Sequence, residues 1–267
     1  MSPRAGVAVY LVALCVLAIV LALVTAMNDP FLGNDGPSHA LTTWAHDHID
    51  DATLGYGRFA SANEPWTARG FDEIFRALEG LGWRAAYRDT VVIIAELWAL
   101  SFCALVTALD RKRAVVGLLG FPLALHAGLF AGLFPFVVGT AFGMLAIAAW
   151  VRREPRWLDH VVAAALLFVA ARCHVVSAAL AGVVMAAVTV ARHPGRALFV
   201  RALALAAVGA PALAVVWLSR GALADVAGIG VVGVVGVGND LVFASFLDRV
   251  VLVQRAFQAP GTARAVA

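Results

Sequence analysis

Residues 6–27 read GVAVYLVALCVLAIVLALVTAM and contain no charged side chain. An α-helix rises about 1.5 Å per residue and the hydrocarbon core of a bilayer is about 30 Å thick, so about 20 apolar residues are enough to cross it. The run is therefore predicted to be a transmembrane helix. Because it is longer than the apolar core of a usual signal peptide, we expect the chain to retain it.

The composition of the whole chain agrees with a membrane protein. Of its 267 residues, 62% are hydrophobic and 14% are charged, and the mean hydropathy is +0.88. A soluble domain fills its core with a smaller apolar fraction. The net charge of +3 comes from arginines in short stretches between apolar runs, where they orient a membrane protein rather than bind nucleic acid. The composition therefore predicts membrane lipid as a partner and excludes nucleic acid.

Two further apolar runs follow the first. Residues 90–109 suffice for a single crossing, whereas residues 114–151 would extend roughly 57 Å as one helix, about twice what a bilayer needs. The longer run is therefore predicted to be a hairpin of two short helices. Gly128, Gly132 and Pro135 favour a break near its middle, because proline cannot continue the hydrogen-bond ladder and glycine tolerates a turn.

The second half of the chain repeats this pattern. Residues 158–191 are again about twice the length of one crossing, and Arg172 and His174 lie at their midpoint, which predicts a second hairpin. A seventh helix is expected over residues 202–218. The glycine-rich stretch 226–238 is a poor helix by propensity and is left open as an eighth span, a re-entrant segment or a loop.

The predicted fold is an all-α, polytopic transmembrane bundle of about seven helices, with the eighth left open. It is treated as a single membrane domain, 1–267, with a loop at 28–88 and a glycine-rich tail at 219–267. The arginine clusters after helices 2, 4 and 6 lie on the same side as the amino terminus, which the positive-inside rule places in the cytoplasm. We therefore expect a multi-pass inner (plasma) membrane protein whose acidic 28–88 loop is extracytoplasmic.

Two amphipathic helices are predicted within the 28–88 loop. The first starts near Asp35 and Pro37, a typical helix-start signal, and places Leu41 and Trp44 on an apolar face. The second lies within residues 68–83 and carries four apolar side chains on one face, Phe71, Ile74, Phe75 and Leu78. Both are expected to lie at the membrane surface.

Three short stretches carry a resemblance to a known family. They are Asn34-Asp35-Gly36-Pro37-Ser38-His39, the glycine-bounded run from Gly132 to Gly139, and Arg172-Cys173-His174 in the second hairpin. Together with the loop and its amphipathic helices, they resemble polytopic membrane glycosyltransferases of the GT-C type. This resemblance implies transfer of a sugar from a polyprenyl-phosphate carrier to an extracytoplasmic acceptor.

The resemblance also implies roles for individual residues. Asp35 would act as general base toward an acceptor hydroxyl or help to bind a divalent cation, and His39 would share its site. Asn34, Arg172 and His174 would bind substrate, with Arg172 contacting the phosphate. No metal ligand is assigned, and the cofactor requirement stays unknown, with a divalent cation left open.

The residues alone leave structural alternatives open. Asp35 is also a typical N-cap, and Arg172 at the end of a span can extend to the lipid headgroups. His126 is expected to hydrogen-bond a neighbouring helix. Glu96, about two turns into a span, must be protonated, be paired or face a cavity, and pairing with Arg172 or His126 is a hypothesis.

Enzymatic activity is therefore one of two functions that we weigh. The other is a non-catalytic membrane protein, either a transporter component or a structural or interaction subunit that uses the outer loop for partner contacts. Transporters commonly contain related halves. The two hairpins faintly suggest such a repeat, but the 28–88 loop has no counterpart in the second half, so transport ranks lower.

Overall fold

A computed structural model describes residues 3–27, 36–53, 68–152 and 156–229, with the side chains of 3–5 and 220–229 excepted. The described residues form an all-α fold, as predicted. The helices are α1 (Pro3–Met27), α2 (Gly36–Asp47), α3 (Gly70–Leu78), α4 (Trp83–Leu109), α5 (Gly120–Ala124), α6 (Ala127–Phe130), α7 (Phe134–Trp150), α8 (Trp157–Cys173), α9 (Val175–Arg192) and α10 (Arg196–Ile229).

Five segments of the described chain are long and apolar enough to cross a membrane, which is compatible with a multi-pass membrane protein. They are Gly6–Met27, Trp83–Leu109, Arg111–Phe130, Val175–Arg192 and Arg196–Ser219. The helices α7 and α8 have 17 residues each, or about 25 Å, the lower limit for a crossing. The second predicted span begins earlier than expected, at Trp83 rather than residue 90.

The long helices run alternately between two ends of the bundle. Tyr10 near the start of α1 lies beside Cys103 and Thr107 near the end of α4, so these two helices are antiparallel. At the start of α4, Tyr87 contacts Phe134 at the start of α7. The helices α4 and α7 therefore begin at the same end of the bundle.

The first predicted hairpin is present, but its first arm is not one continuous α-helix. Residues Arg111–Leu119 form a 3-10 helix, followed by the short helices α5 and α6. Gly132 has a positive φ of 75° in the turn before α7, and Pro135 lies in the first turn of that helix. His126 lies at the break, as the N-cap of α6, rather than inside a helix.

The second hairpin turns where the sequence predicts. The helix α8 ends at Cys173, His174 has extended backbone, and α9 begins at Val175. At the opposite end, an Arg192 guanidinium nitrogen donates to the Val151 carbonyl at 2.8 Å. The helices α8 and α9 are therefore connected at His174, and the end of α9 lies beside the end of α7.

The helix α10 begins at Arg196, has 34 residues and contains Pro211, so it exceeds the predicted seventh span at both ends. The chain divides into two compact units, Met1–Ser219 and Arg220–Ala267. Of the second, only the helical backbone to Ile229 is described. The predicted weak span 226–238 therefore lies largely outside the described residues.

The two predicted surface helices form, but α2 buries a different face. Phe71 and Phe75 of α3 are fully buried, as its pattern predicted. In α2, the buried residues are Gly36, Ala40 and Thr43, whereas Leu41 of the predicted apolar face is 54% exposed. Small side chains at these positions allow close approach: a side chain at Gly36 would collide with Tyr87 and Phe134.

Candidate functional site

Charged and polar side chains from distant parts of the sequence meet at the end of the bundle that carries α2 and α3. We call this group the tip cluster; it consists of His39, Thr43, Arg69, Asp72, Glu73 and Arg172. Its members come from α2, from the start of α3 and from the last turn of α8. The nine-residue helix α3 contacts both of the other elements.

Backbone and side-chain contacts join α3 to the second hairpin. The Arg69 N–H donates to the Arg172 carbonyl at 3.1 Å. Ala68, just before it, has a φ of 67°, a conformation that costs a non-glycine residue roughly 1 kcal/mol or more. The Arg172 guanidinium lies 3.7 Å from a Glu73 carboxylate oxygen. The tip of the hairpin and the start of α3 therefore form one structural unit.

Contacts between α2 and α3 complete the cluster. The Thr43 hydroxyl lies 2.9 Å from an Asp72 carboxylate oxygen and 2.9 Å from the His39 carbonyl. The His39 ring lies 5.8 Å from the Phe71 ring, centroid to centroid. Further along, Asp47 accepts hydrogen bonds from Arg76. The helix α2 is therefore held to α3 by polar contacts on two successive turns, at Thr43 and Asp47.

Asp72 is the half-buried carboxyl group of the cluster. Burial raises the pKa of Asp72 above its usual value, and the Thr43 hydrogen bond and the charges of Arg69, His39 and Arg76 only partly offset this. A hydroxyl has one proton, so Thr43 donates either to Asp72 or to the His39 carbonyl. When Asp72 is protonated, it can donate to Thr43, which then donates to His39.

Aromatic side chains form the floor beneath the charged groups. The Phe71 ring stacks on Phe75 and Phe134, with centroid distances of 5.5 and 5.4 Å. Tyr87 contacts Phe71 and Phe134, and Trp83 stacks on Tyr87 at 5.7 Å. Offset and edge contacts of this kind add stability beyond area burial. The cluster thus has a rigid apolar support.

His174 lies beside the cluster, at the junction of α8 and α9. Its ring meets Phe136 edge-on at 5.3 Å, and burial lowers the pKa of His174. Phe136 also lines an apolar groove of about 270 Å³, together with Trp98, Leu123, His126, Val137 and Thr140. Phe136 therefore both contacts His174 and lines the groove between α4 and α7.

The structure places the predicted site residues as follows. His39 and Arg172 both contact α3, His39 through Phe71 and Arg172 through Glu73. Asn34 and Asp35 lie outside the described residues, and their roles stay predictions. Since α2 begins at Gly36, the predicted start of this helix is confirmed to within a residue.

Four members of the tip cluster were not predicted as site residues. They are Thr43, Arg69, Asp72 and Glu73, and the last three are closely spaced in the sequence. Their spacing carries a signal, because residues three and four apart on a helix are neighbours, and Arg69 does contact Asp72 at 3.5 Å and Glu73 at 3.4 Å. That spacing alone is also typical of a solvated helix face, so it did not identify a site.

The hypothetical partner of Glu96 is not found. Among the side chains that the structure describes, one Glu96 carboxylate oxygen is buried without a hydrogen-bond partner, and Arg172 pairs with Glu73 instead. His126 accepts from the Gly128 N–H at 2.9 Å and lies 5.1 Å from the Trp98 ring. Its hydrogen bond is therefore local, within the break, rather than to a neighbouring helix.

Chemically, the tip cluster combines two guanidinium groups, which can hold an anion, with a half-buried carboxyl group that can exchange a proton. Within residues 3–27, 36–53, 68–152 and 156–229, no group of three or more His, Cys, Asp or Glu side chains is placed to hold a metal ion. No protein-family model matches the chain, and no curated protein or solved structure matches it.

Proposed function

We propose that this protein is a multi-pass inner-membrane glycosyltransferase of the GT-C kind, which moves a sugar from a polyprenyl-phosphate carrier to an extracytoplasmic acceptor. The proposed topology has seven crossings, with α7 and α8 as the two short ones. The amino terminus is cytoplasmic, and α2 and α3 lie on the opposite face of the membrane. No nucleic acid takes part.

The observation that carries the proposal is the meeting of His39 and Arg172 at α3. These residues are more than a hundred positions apart in the sequence, yet both contact the same nine-residue helix. A glycosyltransferase that uses a lipid-linked donor needs a cation for the phosphate and a basic group for the acceptor within reach of one substrate. The tip cluster supplies both kinds of group.

The charge distribution supports the proposed orientation. At the end of the bundle opposite the tip cluster, Arg152 pairs with Asp159 at 2.8 Å and Arg201 lies 3.3 Å from His160. Arg192 donates to the Val151 carbonyl at the same end. Positive charge near the ends of spans favours the cytoplasmic face. The tip cluster then faces outward, where lipid-linked sugars are exposed.

Asp35, the predicted base, and Asp72, the carboxyl group of the tip cluster, have different roles in the proposed enzyme. We assign Asp35 as the base toward the acceptor hydroxyl, with His39 in the same site. Asp72 is a second carboxyl group near His39, and its raised pKa favours proton exchange at neutral pH more than an ordinary aspartate would. We assign Arg172 and His174 to the donor, and His174 contacts Phe136, which lines the apolar groove.

Sugar transfer in isolated membranes tests the proposal. Membranes containing the native chain, Asp35→Asn or Arg152→Gln are supplied with a labelled sugar on polyprenyl phosphate. Asp35→Asn should lower the rate about 10²- to 10⁴-fold, the usual contribution of a general base, while Arg152→Gln at the opposite end should transfer normally. Unchanged transfer by Asp35→Asn removes Asp35 from the mechanism.

A topology measurement separates the enzyme from the non-catalytic alternative. Cysteine labelling from outside should reach a residue inserted between α2 and α3 and should not reach one inserted after α9. Outward exposure without any sugar transfer by the native chain would favour a structural or interaction subunit. Labelling of the α2–α3 segment only from the cytoplasm would contradict both the topology and the proposed enzyme.

A further inference from the structure

One carboxylate oxygen in the tip cluster is shared by two arginines. Glu73 Oε1 lies 3.4 Å from an Arg69 guanidinium nitrogen and 3.7 Å from an Arg172 guanidinium nitrogen. The side chains of Arg69 and Arg172 are 12% and 28% exposed, whereas that of Glu73 is 57% exposed. Two half-buried arginines, one just before α3 and one in α8, thus lie near the same largely exposed carboxylate oxygen.

The geometry of this contact is loose for an ion pair of arginine. Strong arginine–carboxylate pairs have two parallel hydrogen bonds of about 2.7–2.9 Å, and both distances to Glu73 exceed that range. By contrast, in the Arg76–Asp47 pair in the same part of the molecule, the Arg76 Nε lies 2.8 Å from each carboxylate oxygen and a terminal nitrogen lies 2.7 Å from Oδ1. Glu73 therefore compensates the charge of the two arginines without matching their shape.

A phosphate group matches the same two arginines better. A phosphate monoester carries a charge of about −1.5 to −2 and has three acceptor oxygens, and the phosphodiester of a lipid-linked sugar has one negative charge and two free oxygens, so either can accept from both guanidinium groups at once. Arg69 also lies near a second carboxylate, because its Nε is 3.5 Å from an Asp72 oxygen while a terminal nitrogen is 3.4 Å from Glu73. Arg172 is fixed through its backbone carbonyl, which accepts from the Arg69 N–H.

We propose that Arg69 and Arg172 form a phosphate-binding site that the Glu73 carboxylate occupies in the absence of ligand, and that a bound phosphate group displaces Glu73. The inference rests on the proposed function for its choice of ligand and adds Arg69 as a phosphate contact and Glu73 as a built-in competitor. The phosphate group can belong to a lipid headgroup or to a free phosphate compound, since the chemistry of both is the same at these two arginines.

Equilibrium binding to the purified full chain in a non-ionic detergent tests this site. The probes are dodecyl phosphate and inorganic phosphate. Removing the competitor in Glu73→Gln should raise phosphate affinity about two- to fivefold, the scale of a partly exposed ion pair of up to about 1 kcal/mol. Arg69→Gln and Arg172→Gln should each lower the affinity about tenfold, because each removes one charge-assisted contact.

Asp47→Asn is the matched control, since it also removes one carboxylate from an arginine in the same pair of helices. Its phosphate affinity should stay that of the native chain. Equal gains in Asp47→Asn and Glu73→Gln would show a general charge effect and overturn the site, as would an unchanged or weaker affinity in Glu73→Gln. Stabilisation of each variant against heat by the same probes measures binding independently of the folded fraction.

The two probes identify the source of the phosphate. Tighter binding of dodecyl phosphate than of inorganic phosphate supports a lipid-borne group at this site, and equal binding supports a soluble one. A gain of affinity in Glu73→Gln without sugar transfer by the native chain would keep this site and refute the proposed enzyme. Sugar transfer without that gain would keep the enzyme and refute the role of Glu73.

Discussion

The molecule has two cores, and they are built from different side chains. The core beneath the tip cluster contains large aromatic residues, including Phe71, Phe75, Tyr87 and Phe134. In the core among α7, α8, α9 and α10, 8 of the 15 buried residues are alanine. Helices in lipid gain little from burying apolar area and associate through small residues that allow close approach. The α2–α3 region instead uses aromatic area, which stabilises most where water is the alternative.

The two cores should lose stability on opposite changes of side-chain volume. An aromatic core loses stability when side-chain volume is removed, because a cavity remains. A core of small residues loses stability when volume is added, because the helices cannot separate without losing their other contacts. Substitutions at Phe134 and at Gly139 can therefore test whether the two regions are held together differently.

Truncation of Phe134 should have the largest effect. Its side chain is fully buried and contacts the rings of Phe71, Tyr87 and His39. Phe134→Ala should lower the free energy of unfolding by about 3–5 kcal/mol, and it should also release α2 and α3 from the bundle. Thermal unfolding in detergent measures the first effect, and limited proteolysis of the segment between α2 and α3 measures the second.

The matched control is the same substitution at Phe199, near the start of α10, whose side chain is 65% exposed. Phe199→Ala should change the free energy of unfolding by less than about 0.5–1 kcal/mol, as surface substitutions do. If both alanine variants unfolded alike, the aromatic core would not be what supports the tip cluster.

An added methyl group in the small-residue core should have the next largest effect. A Cβ at Gly139 would lie 2.9 Å from the Ser177 Cβ and 3.2 Å from the Ala170 carbonyl oxygen. Because neither atom belongs to a flexible side-chain end, Gly139→Ala should cost about 1–3 kcal/mol by overpacking. The midpoint of thermal unfolding in detergent is the measurement.

The same substitution at Gly182 in α9 should have the opposite effect on stability. No heavy atom lies within 4 Å of a Cβ built there, so Gly182→Ala should instead stabilise the helix, by up to about 1 kcal/mol through its higher helix propensity. Two identical substitutions in neighbouring helices should therefore shift the unfolding midpoint in opposite directions. If both variants lost stability, glycine would be needed at these two positions for a reason other than the space around them.

Much of the bundle could be predicted because its signals are local. The uncharged run at 6–27 gives α1, and the double-length run at 158–191 with Arg172 and His174 at its midpoint gives the hairpin of α8 and α9. Length, charge and helix-breaking residues fix such elements without knowledge of what they contact. The first arm of the other hairpin was harder, because a 3-10 helix at Arg111–Leu119 has no sharp sequence signal.

The site was only partly predictable because it depends on contacts between distant segments. Arg172 was singled out by its position in an apolar run, but its partner Glu73 lies about a hundred residues away, and no periodicity connects them. The face of α2 was predicted from its large apolar residues, yet packing against Tyr87 and Phe134 selected the small ones, beginning with Gly36. Tertiary packing overrides the local pattern in such cases.

The smallest effect that we predict concerns the ionisation of Asp72, which lies between the aromatic core and the charged groups. Burial raises the pKa of Asp72 in the folded protein, while an aspartate in the unfolded chain titrates near its usual value of about 3.9. The folded state therefore holds this proton more strongly than the unfolded state does. Protonated Asp72 contributes its full stabilisation below the pKa that it has in the unfolded chain. This stabilisation is lost as the pH rises through the pKa of Asp72 in the folded protein.

Asp72→Asn isolates this contribution, because an amide resembles the protonated carboxyl group at every pH. Near pH 4 the native chain and the variant should unfold at similar temperatures, and toward pH 8 the native chain should become the less stable of the two. The measurement is the difference between their unfolding midpoints as a function of pH, which cancels the titration of the other groups. A difference that stays constant, or that favours the native chain as the pH rises, would mean that the charges of Arg69 and Arg76 outweigh burial. Asp72 would then act as a permanent anion that anchors α3, and proton exchange at neutral pH would no longer be assigned to it.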